Sequence, residues 1–104
     1  MGRGTGSEKT FRLERDLEDA CGRLAKAQGI FHRKYKGPGR RSHPDRLFAK
    51  RGFCLWIEFK LPGNTPTELQ WLEIRAMRRA GLRVTWTSSY RGFEKILANY
   101  WGPA

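Results

Sequence analysis

Long apolar runs, cysteines and acidic residues are all scarce in this 104-residue sequence. No stretch of about 18 consecutive apolar residues occurs, which argues against a membrane-spanning helix, and the first residues lack the hydrophobic stretch of a secretory signal peptide. We therefore expect a soluble, intracellular protein of the cytoplasm. The 2 cysteines, Cys21 and Cys54, have no CxxC spacing, so we expect reduced core thiols rather than a disulfide or a zinc site.

The shortage of acidic residues leaves a large excess of positive charge. Lysine and arginine number 21 against 10 aspartates and glutamates, which gives a formal net charge of +11 at pH 7. On a chain long enough for one modest domain, such an excess is typical of a protein that binds a polyanion. Nucleic acid is the first partner to consider and an acidic membrane surface the second. A cationic surface that serves only solubility is the plain alternative.

Hydrophobic periodicity and turn residues predict the order α-β-β-β-α-β-α, after a flexible glycine-rich arm over residues 1–9. The predicted helices and strands cover about 10–28, 30–35, 45–49, 53–60, a second helix from about 66 to 80, 82–87 and a last helix beyond residue 89. Short connections allow the first three strands to form an antiparallel meander. The fourth strand follows a helical crossover, which implies parallel pairing. We therefore expect an α/β fold with a central mixed sheet flanked by helices.

The second helix has the clearest start in the sequence. Thr65 is predicted as its N-cap, Pro66 as its first residue and Glu68 as the partner in a capping box. Its spacing predicts a core-facing stripe made of Leu69, Leu72, Ala76 and Ala80. The last helix is expected to pack inward through Phe93, Ile96, Leu97 and Tyr100.

Three charged side chains are expected to meet on the second and third strands. Side chains alternate along a strand, so Glu58 and Lys60 share one face. Asp45 opens the preceding strand, and a tight turn folds that strand back, which brings the Asp45 carboxylate near Glu58. Two carboxylates in a partly dry site favour a hard divalent cation, which can polarise a phosphate and activate water. The plain alternative is a solvated strand face, with Pro-Asp as an ordinary turn.

The segments KYKGPGRRSHPDRLF and WIEFKLPGNTP resemble the stand-alone, phage-type VRR-Nuc domain of the PD-(D/E)xK nuclease superfamily. In that resemblance Pro44-Asp45 matches the PD, Glu58-Phe59-Lys60 matches the ExK, and Gln70 matches the glutamine of the following helix. Glu18 matches the acid of the first helix, with Glu14 in reserve. The resemblance covers most of the chain, so residues 10–104 are expected to form one such domain with a restriction-endonuclease-like core. Ser42-His43 departs from the usual glycine and small apolar residue before the PD.

The resemblance implies an endonuclease that hydrolyses DNA phosphodiester bonds with Mg²⁺ or Mn²⁺. Asp45, Glu58, Lys60 and Gln70 would be catalytic, and the metal would be held by Glu18, Asp45, Glu58 and the Phe59 carbonyl. Members of this type are similar to Holliday-junction resolvases, so the expected substrate is a four-way DNA junction. The expected oligomeric state is a homodimer, and the expected origin is a phage. No membrane and no nucleotide cofactor are expected.

Basic residues around the motif are the predicted contacts to DNA phosphates. They are Lys34, Lys36, Arg40, Arg41 and Arg46. Two other functions remain open at this point: a catalytically silent nucleic-acid-binding module, and a sequence-specific nicking enzyme of the restriction type. The intact acid and lysine residues argue against the first, and the lack of a recognition insertion argues against the second.

Overall fold

The computed structural model describes residues 11–35 and 44–102. Within these ranges it contains α1 (Glu14–Ala27), β1 (Phe31–Lys34), β2 (Arg46–Lys50), β3 (Phe53–Phe59), α2 (Glu68–Arg79), β4 (Val84–Thr87) and α3 (Tyr90–Trp101). The predicted element order is confirmed. None of these helices is both long and apolar enough to cross a membrane. The arm predicted over residues 1–9 lies outside the described residues.

The four strands form one mixed sheet in the order β1-β2-β3-β4. β1 and β2 pair antiparallel, as do β2 and β3, whereas β3 and β4 pair parallel. The turn between β2 and β3 consists of Arg51 and Gly52, whose φ angles are 56° and 79°. Positive φ at both central residues is characteristic of the two-residue turns that match the twist of a hairpin. This tight turn fixes the register that brings the start of β2 beside the end of β3.

The core lies between one face of the sheet and the helices α1 and α3. Phe48 on β2, Phe59 on β3 and Phe93 on α3 are fully buried. The Phe48 and Phe93 ring centroids are 5.2 Å apart, and those of Phe59 and Phe93 are 5.9 Å apart. Because side chains alternate along β3, burial of Phe59 on this face directs Glu58 and Lys60 to the opposite face.

Helix α2 covers part of that opposite face, and it does so through a different side from the one predicted. Ile74 is buried with 1% exposure, and the Trp71 ring lies edge-on to Trp86 of β4 at 6.4 Å. The predicted core stripe is wrong, because Leu69 is 65% and Leu72 52% exposed. The other two members of the predicted stripe, Ala76 and Ala80, are exposed as well.

Two smaller predictions also change. Cys21 is buried in the core as expected, but Cys54 is exposed on the open face of β3, so the prediction of a second core thiol is wrong. In α3, Phe93 and Leu97 face the core. Tyr100 is 36% exposed, although its ring contacts that of Phe53 at 5.1 Å.

Candidate active site

The β2–β3 hairpin places Asp45 and Glu58 at the same end of the sheet. Arg46 pairs with Ile57 in the strand register, so Asp45 lies just beyond the last pair and beside Glu58. The Asp45 Oδ2 atom accepts a hydrogen bond of 2.9 Å from the backbone N–H of Phe59. The predicted approach of the two acids therefore has a structural basis, and a main-chain donor fixes the orientation of one of them.

Glu58 is a buried carboxylic acid with one oxygen left without a partner. The residue is only 3% exposed, and its Oε2 atom accepts a hydrogen bond of 2.8 Å from Nε2 of Gln70. Among the described residues, nothing donates to Oε1. Burial and then the neighbouring Asp45 raise the pKa of Glu58 to about 8, with Lys60 acting in the opposite direction. Burial also raises the pKa of Asp45, whereas the hydrogen bond from the Phe59 N–H lowers it.

Gln70 connects three parts of the site. Its Nε2 donates to Glu58, and its Oε1 accepts from Nζ of Lys60 at 3.3 Å and from the backbone N–H of Thr67 at 2.8 Å. The hydroxyl of Thr67 in turn accepts from the backbone N–H of Gln70 at 3.2 Å. The structure thus brings together Glu58, Lys60 and Gln70, three of the predicted catalytic residues, in one hydrogen-bonded network.

The capping box of α2 is formed by Thr67 and Gln70, not by Thr65 and Glu68 as predicted. Thr67 is the site residue that sequence reasoning missed. The signal was available, because T-x-x-Q starting at Thr67 satisfies the capping-box spacing as well as T-x-x-E starting at Thr65. As a result, the residue that caps α2 also orients Gln70 toward Glu58 and Lys60.

Glu18 of α1 lies in a separate cluster of charged groups. It is 4% exposed, and Oε1 pairs with Nε of Arg46 at 3.1 Å and with Nζ of Lys34 at 3.4 Å. Arg46 also contacts Nδ1 of His32 at 3.2 Å and donates to Oδ1 of Asp19 at 3.3 Å. The negative charge of Glu18 contributes to the raised pKa of both Asp45 and Glu58. Glu18 therefore acts on the site electrostatically, and its role as a metal ligand stays a prediction.

Comparison with known proteins yields no matching family model. No curated protein sequence matches either. Among solved structures, a chain described as "VRR_NUC domain" matches with a TM-score of 0.77 and 26% identity, covering 85% of this chain and 97% of that chain. The chain has the fold of a VRR-Nuc domain. The family resemblance and the restriction-endonuclease-like core expected from the sequence are thereby confirmed, and with them a nuclease-type domain.

The predicted DNA contacts of this chain fall into three groups. Lys34 is on the surface, with a side chain 39% exposed. The side chain of Arg46 is only 10% exposed and forms ion pairs with Glu18 and Asp19. Its charge is therefore neutralised within the protein, and we propose no direct phosphate contact for it. Lys36, Arg40 and Arg41, the remaining predicted contacts, lie outside the described residues.

The residues of the candidate site fit a divalent cation in chemistry, though not as a preformed cage. Within residues 11–35 and 44–102, no three histidine, cysteine, aspartate or glutamate side chains converge to hold a metal. The unpartnered Oε1 of Glu58, with a second carboxylic acid beside it, is nevertheless a site where a cation would relieve both desolvation and repulsion. Asp45, Glu58 and the Phe59 carbonyl would supply three oxygen ligands and leave positions for water and phosphate.

Replacing Thr67 with alanine tests the cap that orients Gln70. We expect Thr67→Ala to lower the free energy of unfolding by about 1 kcal/mol, because the N–H of Gln70 loses its acceptor. The matched control is Thr65→Ala, an exposed threonine two residues earlier that makes no cap. Urea unfolding followed by circular dichroism measures both. A larger loss for Thr65→Ala than for Thr67→Ala would place the cap at Thr65 instead.

Proposed function

We propose that this protein is a Mg²⁺- or Mn²⁺-dependent endonuclease that hydrolyses DNA phosphodiester bonds, acts on four-way junctions and works as a homodimer. The observation that supports it best is the network that joins Glu58 to Lys60 through Gln70, with Asp45 beside Glu58, in a chain with the VRR-Nuc fold. A buried acid with a free oxygen, a second acid and a lysine amine are groups that can support metal-assisted phosphodiester hydrolysis.

A divalent cation bound by Asp45, Glu58 and the Phe59 carbonyl would polarise the scissile phosphate and lower the pKa of a bound water. The remaining chemistry falls to the side chains of the network. The Lys60 ammonium lies 3.3 Å from Gln70 Oε1, where it can orient the attacking water and offset negative charge developing on the phosphate. Gln70 holds Glu58 and Lys60 at a fixed separation, because its amide donates to one and accepts from the other.

The surface charge supplies the affinity for DNA in this proposal. A net charge of +11 attracts phosphates irrespective of base sequence, which suits recognition of DNA by shape. Lys34 is the described member of the contact set, with Lys36, Arg40 and Arg41 proposed from the sequence. One site cuts one strand, so resolution of a junction requires two sites, which a twofold homodimer supplies.

Cleavage assays on defined DNA substrates test this function. End-labelled four-way junction, flap and linear duplex are each incubated with the protein in Mg²⁺, Mn²⁺ or EDTA. We expect junction cleavage with either metal, none in EDTA, and cleavage of the linear duplex at least about tenfold slower, because recognition depends on shape.

The control variant is Asp45→Asn, which keeps an oxygen to accept the Phe59 N–H but loses the negative charge. It should bind junctions as the parent does, and its rate of junction cleavage should be lower by about 10²-fold or more. Equal cutting by this variant would remove Asp45 from the mechanism. Junction binding without cutting by the parent would instead indicate the silent binding module, and cutting at one base sequence regardless of DNA shape would indicate a restriction-type nicking enzyme.

A further inference from the structure

Helix α2 carries an apolar stripe on its outer side that nothing in the described chain covers. Leu69, Leu72 and Ala76 follow at steps of three and four residues, so they lie along one side of the helix. Leu69 is 65% exposed and Leu72 52% exposed, and Ala76 is exposed too. We call these three residues the outer stripe. Exposed apolar surface at helical spacing is typical of a contact surface rather than of a solvated helix.

The opposite side of α2 packs against the sheet. Ile74 is buried, and the Arg78 guanidinium donates two hydrogen bonds, of 3.0 and 2.8 Å, to the Val84 carbonyl. Rotation of the helix to bury the outer stripe would break these contacts and also the Gln70 bond to Glu58. The outer stripe therefore faces outward, uncovered by residues 11–35 and 44–102, where it can contact another molecule.

The charges beside the outer stripe favour a second copy of this chain as that molecule. Glu68 is in the first turn of α2 and Arg79 in its last turn. They are eleven residues apart, about three turns, so both lie on the same flank of the stripe. Two such helices packed antiparallel would place Glu68 of each copy opposite Arg79 of the other. The exposed arginines Arg75 and Arg79 flank the stripe and do not interrupt it, so its apolar surface fits an apolar partner better than DNA phosphates.

We propose that the outer stripe is the homodimer interface, with the α2 helices of two copies packed antiparallel across a twofold axis. The axis passes between Leu72 and Ala76, so that each Leu72 packs against the other copy's small alanine and the helices approach closely. Such an isologous contact uses the same surface twice. The inference rests on the homodimer of the proposed function and assigns its surface.

The interface also determines how the two sites are arranged. Gln70 is four residues from the position midway between Leu72 and Ala76, about 6 Å along the helix axis. Twofold symmetry doubles this, so the two Gln70 side chains are separated by about 12 Å along the axes, in addition to the spacing between the helices. Dimer formation and the relative placement of the two Glu58–Lys60 networks are thus properties of the same helix.

Sedimentation of the full chain in the absence of DNA and metal tests the interface. We expect the parent to sediment as a dimer and Leu72→Glu to raise the dissociation constant by about 100-fold or more, since the substitution is repeated in both copies. The control is Leu82→Glu, a leucine that is 46% exposed and lies outside α2, which should leave the dimer intact. Circular dichroism confirms that each variant is folded.

A charge exchange sharpens the test. Glu68→Arg and Arg79→Glu should each weaken the dimer, and the double variant should restore it, because the pair is rebuilt with the charges reversed. A monomeric parent overturns the proposal, and so does a Leu72→Glu variant that remains dimeric. A parent that dimerises through the stripe but cuts no DNA supports the interface and refutes the nuclease, so the two failures are distinguishable.

Discussion

Glu58→Gln is expected to stabilise the metal-free protein while abolishing cleavage. The substitution removes a buried carboxylate whose Oε1 has no hydrogen-bond partner in the described part of the chain, and whose pKa is raised to about 8. At pH 8 in EDTA we expect the free energy of unfolding to rise by on the order of 1–3 kcal/mol. Cleavage in Mg²⁺ should fall by about 10³-fold or more, since a ligand oxygen and its charge are lost.

The pH dependence of stability follows from the same side chain. Below its ordinary pKa of 4.5, Glu58 is protonated in both the folded and unfolded protein and makes no difference. As pH rises from 4.5 toward the folded-state pKa of about 8, only the unfolded chain loses the proton readily, so the folded protein loses stability. Urea unfolding of the parent in EDTA should show this decline, and Glu58→Gln should flatten it.

A matched control distinguishes this effect from a general change in charge. Glu73→Gln makes the same substitution on α2 at a half-buried glutamate that is not part of the site network. It should leave the pH dependence of the parent unchanged. Saturating Mg²⁺ should raise the stability of the parent but not of Glu58→Gln, because only the parent retains both acids. A Glu58→Gln variant less stable than the parent at pH 8 in EDTA would contradict this account.

Arg46→Ala should be the most destabilising of the charge substitutions. The arginine is the main partner of Glu18, which is buried at 4% exposure, and it bonds Asp19 and His32 as well. In Arg46→Ala, the buried Glu18 keeps only the more exposed Lys34 as a charged partner, so we expect a cost of about 3–5 kcal/mol, as for the loss of one partner of a buried ion pair. The loss is measured as a shift of the urea unfolding curve.

Two further variants test the explanation for Arg46. Lys34→Ala removes the more exposed partner of Glu18 and should cost at most about 1 kcal/mol. The double variant Glu18→Gln with Arg46→Met removes both buried charges and should recover most of the stability lost in Arg46→Ala. If Arg46→Ala were no more destabilising than Lys34→Ala, Arg46 would not be needed for the buried ion pair. It could then contact DNA phosphates, as predicted from the sequence.

The element order was predictable from the sequence because each element carries local signals, and the orientation of α2 was not. Helix α2 has apolar residues on two sides, with Ile74 and Trp71 on one and Leu69 and Leu72 on the other. Periodicity shows that a helix is apolar along a side but does not show which side meets the sheet. The contacts that decide it, from Gln70 to Glu58 and from Arg78 to Val84, are tertiary.

The candidate site was predictable in part from strand geometry alone. Alternation along β3 correctly separated Glu58 from the core-facing Phe59, and the hairpin brought Asp45 to them. The same rule applied to β2 would have placed Arg46 on the core face, since it pairs with the buried Ile57. Gln70 could be predicted only from the family resemblance, because nothing in the sequence distinguishes a functional glutamine in the first helical turn from a surface one. In the structure, its hydrogen bonds to Glu58 and Lys60 make that distinction.

The site network is assembled from a short, continuous part of the chain, residues 45–70. The bonds from Asp45 to Phe59, from Glu58 to Gln70 and from Lys60 to Gln70 span 14, 12 and 10 residues. By contrast, the bond from Trp101 to Lys50 spans 51 residues. Short separations carry a small entropy of loop closure and favour rapid formation. Folding should therefore bring the reactive groups together before the chain's last helix docks, and changes in that helix should lower overall stability more than they disturb the geometry of catalysis.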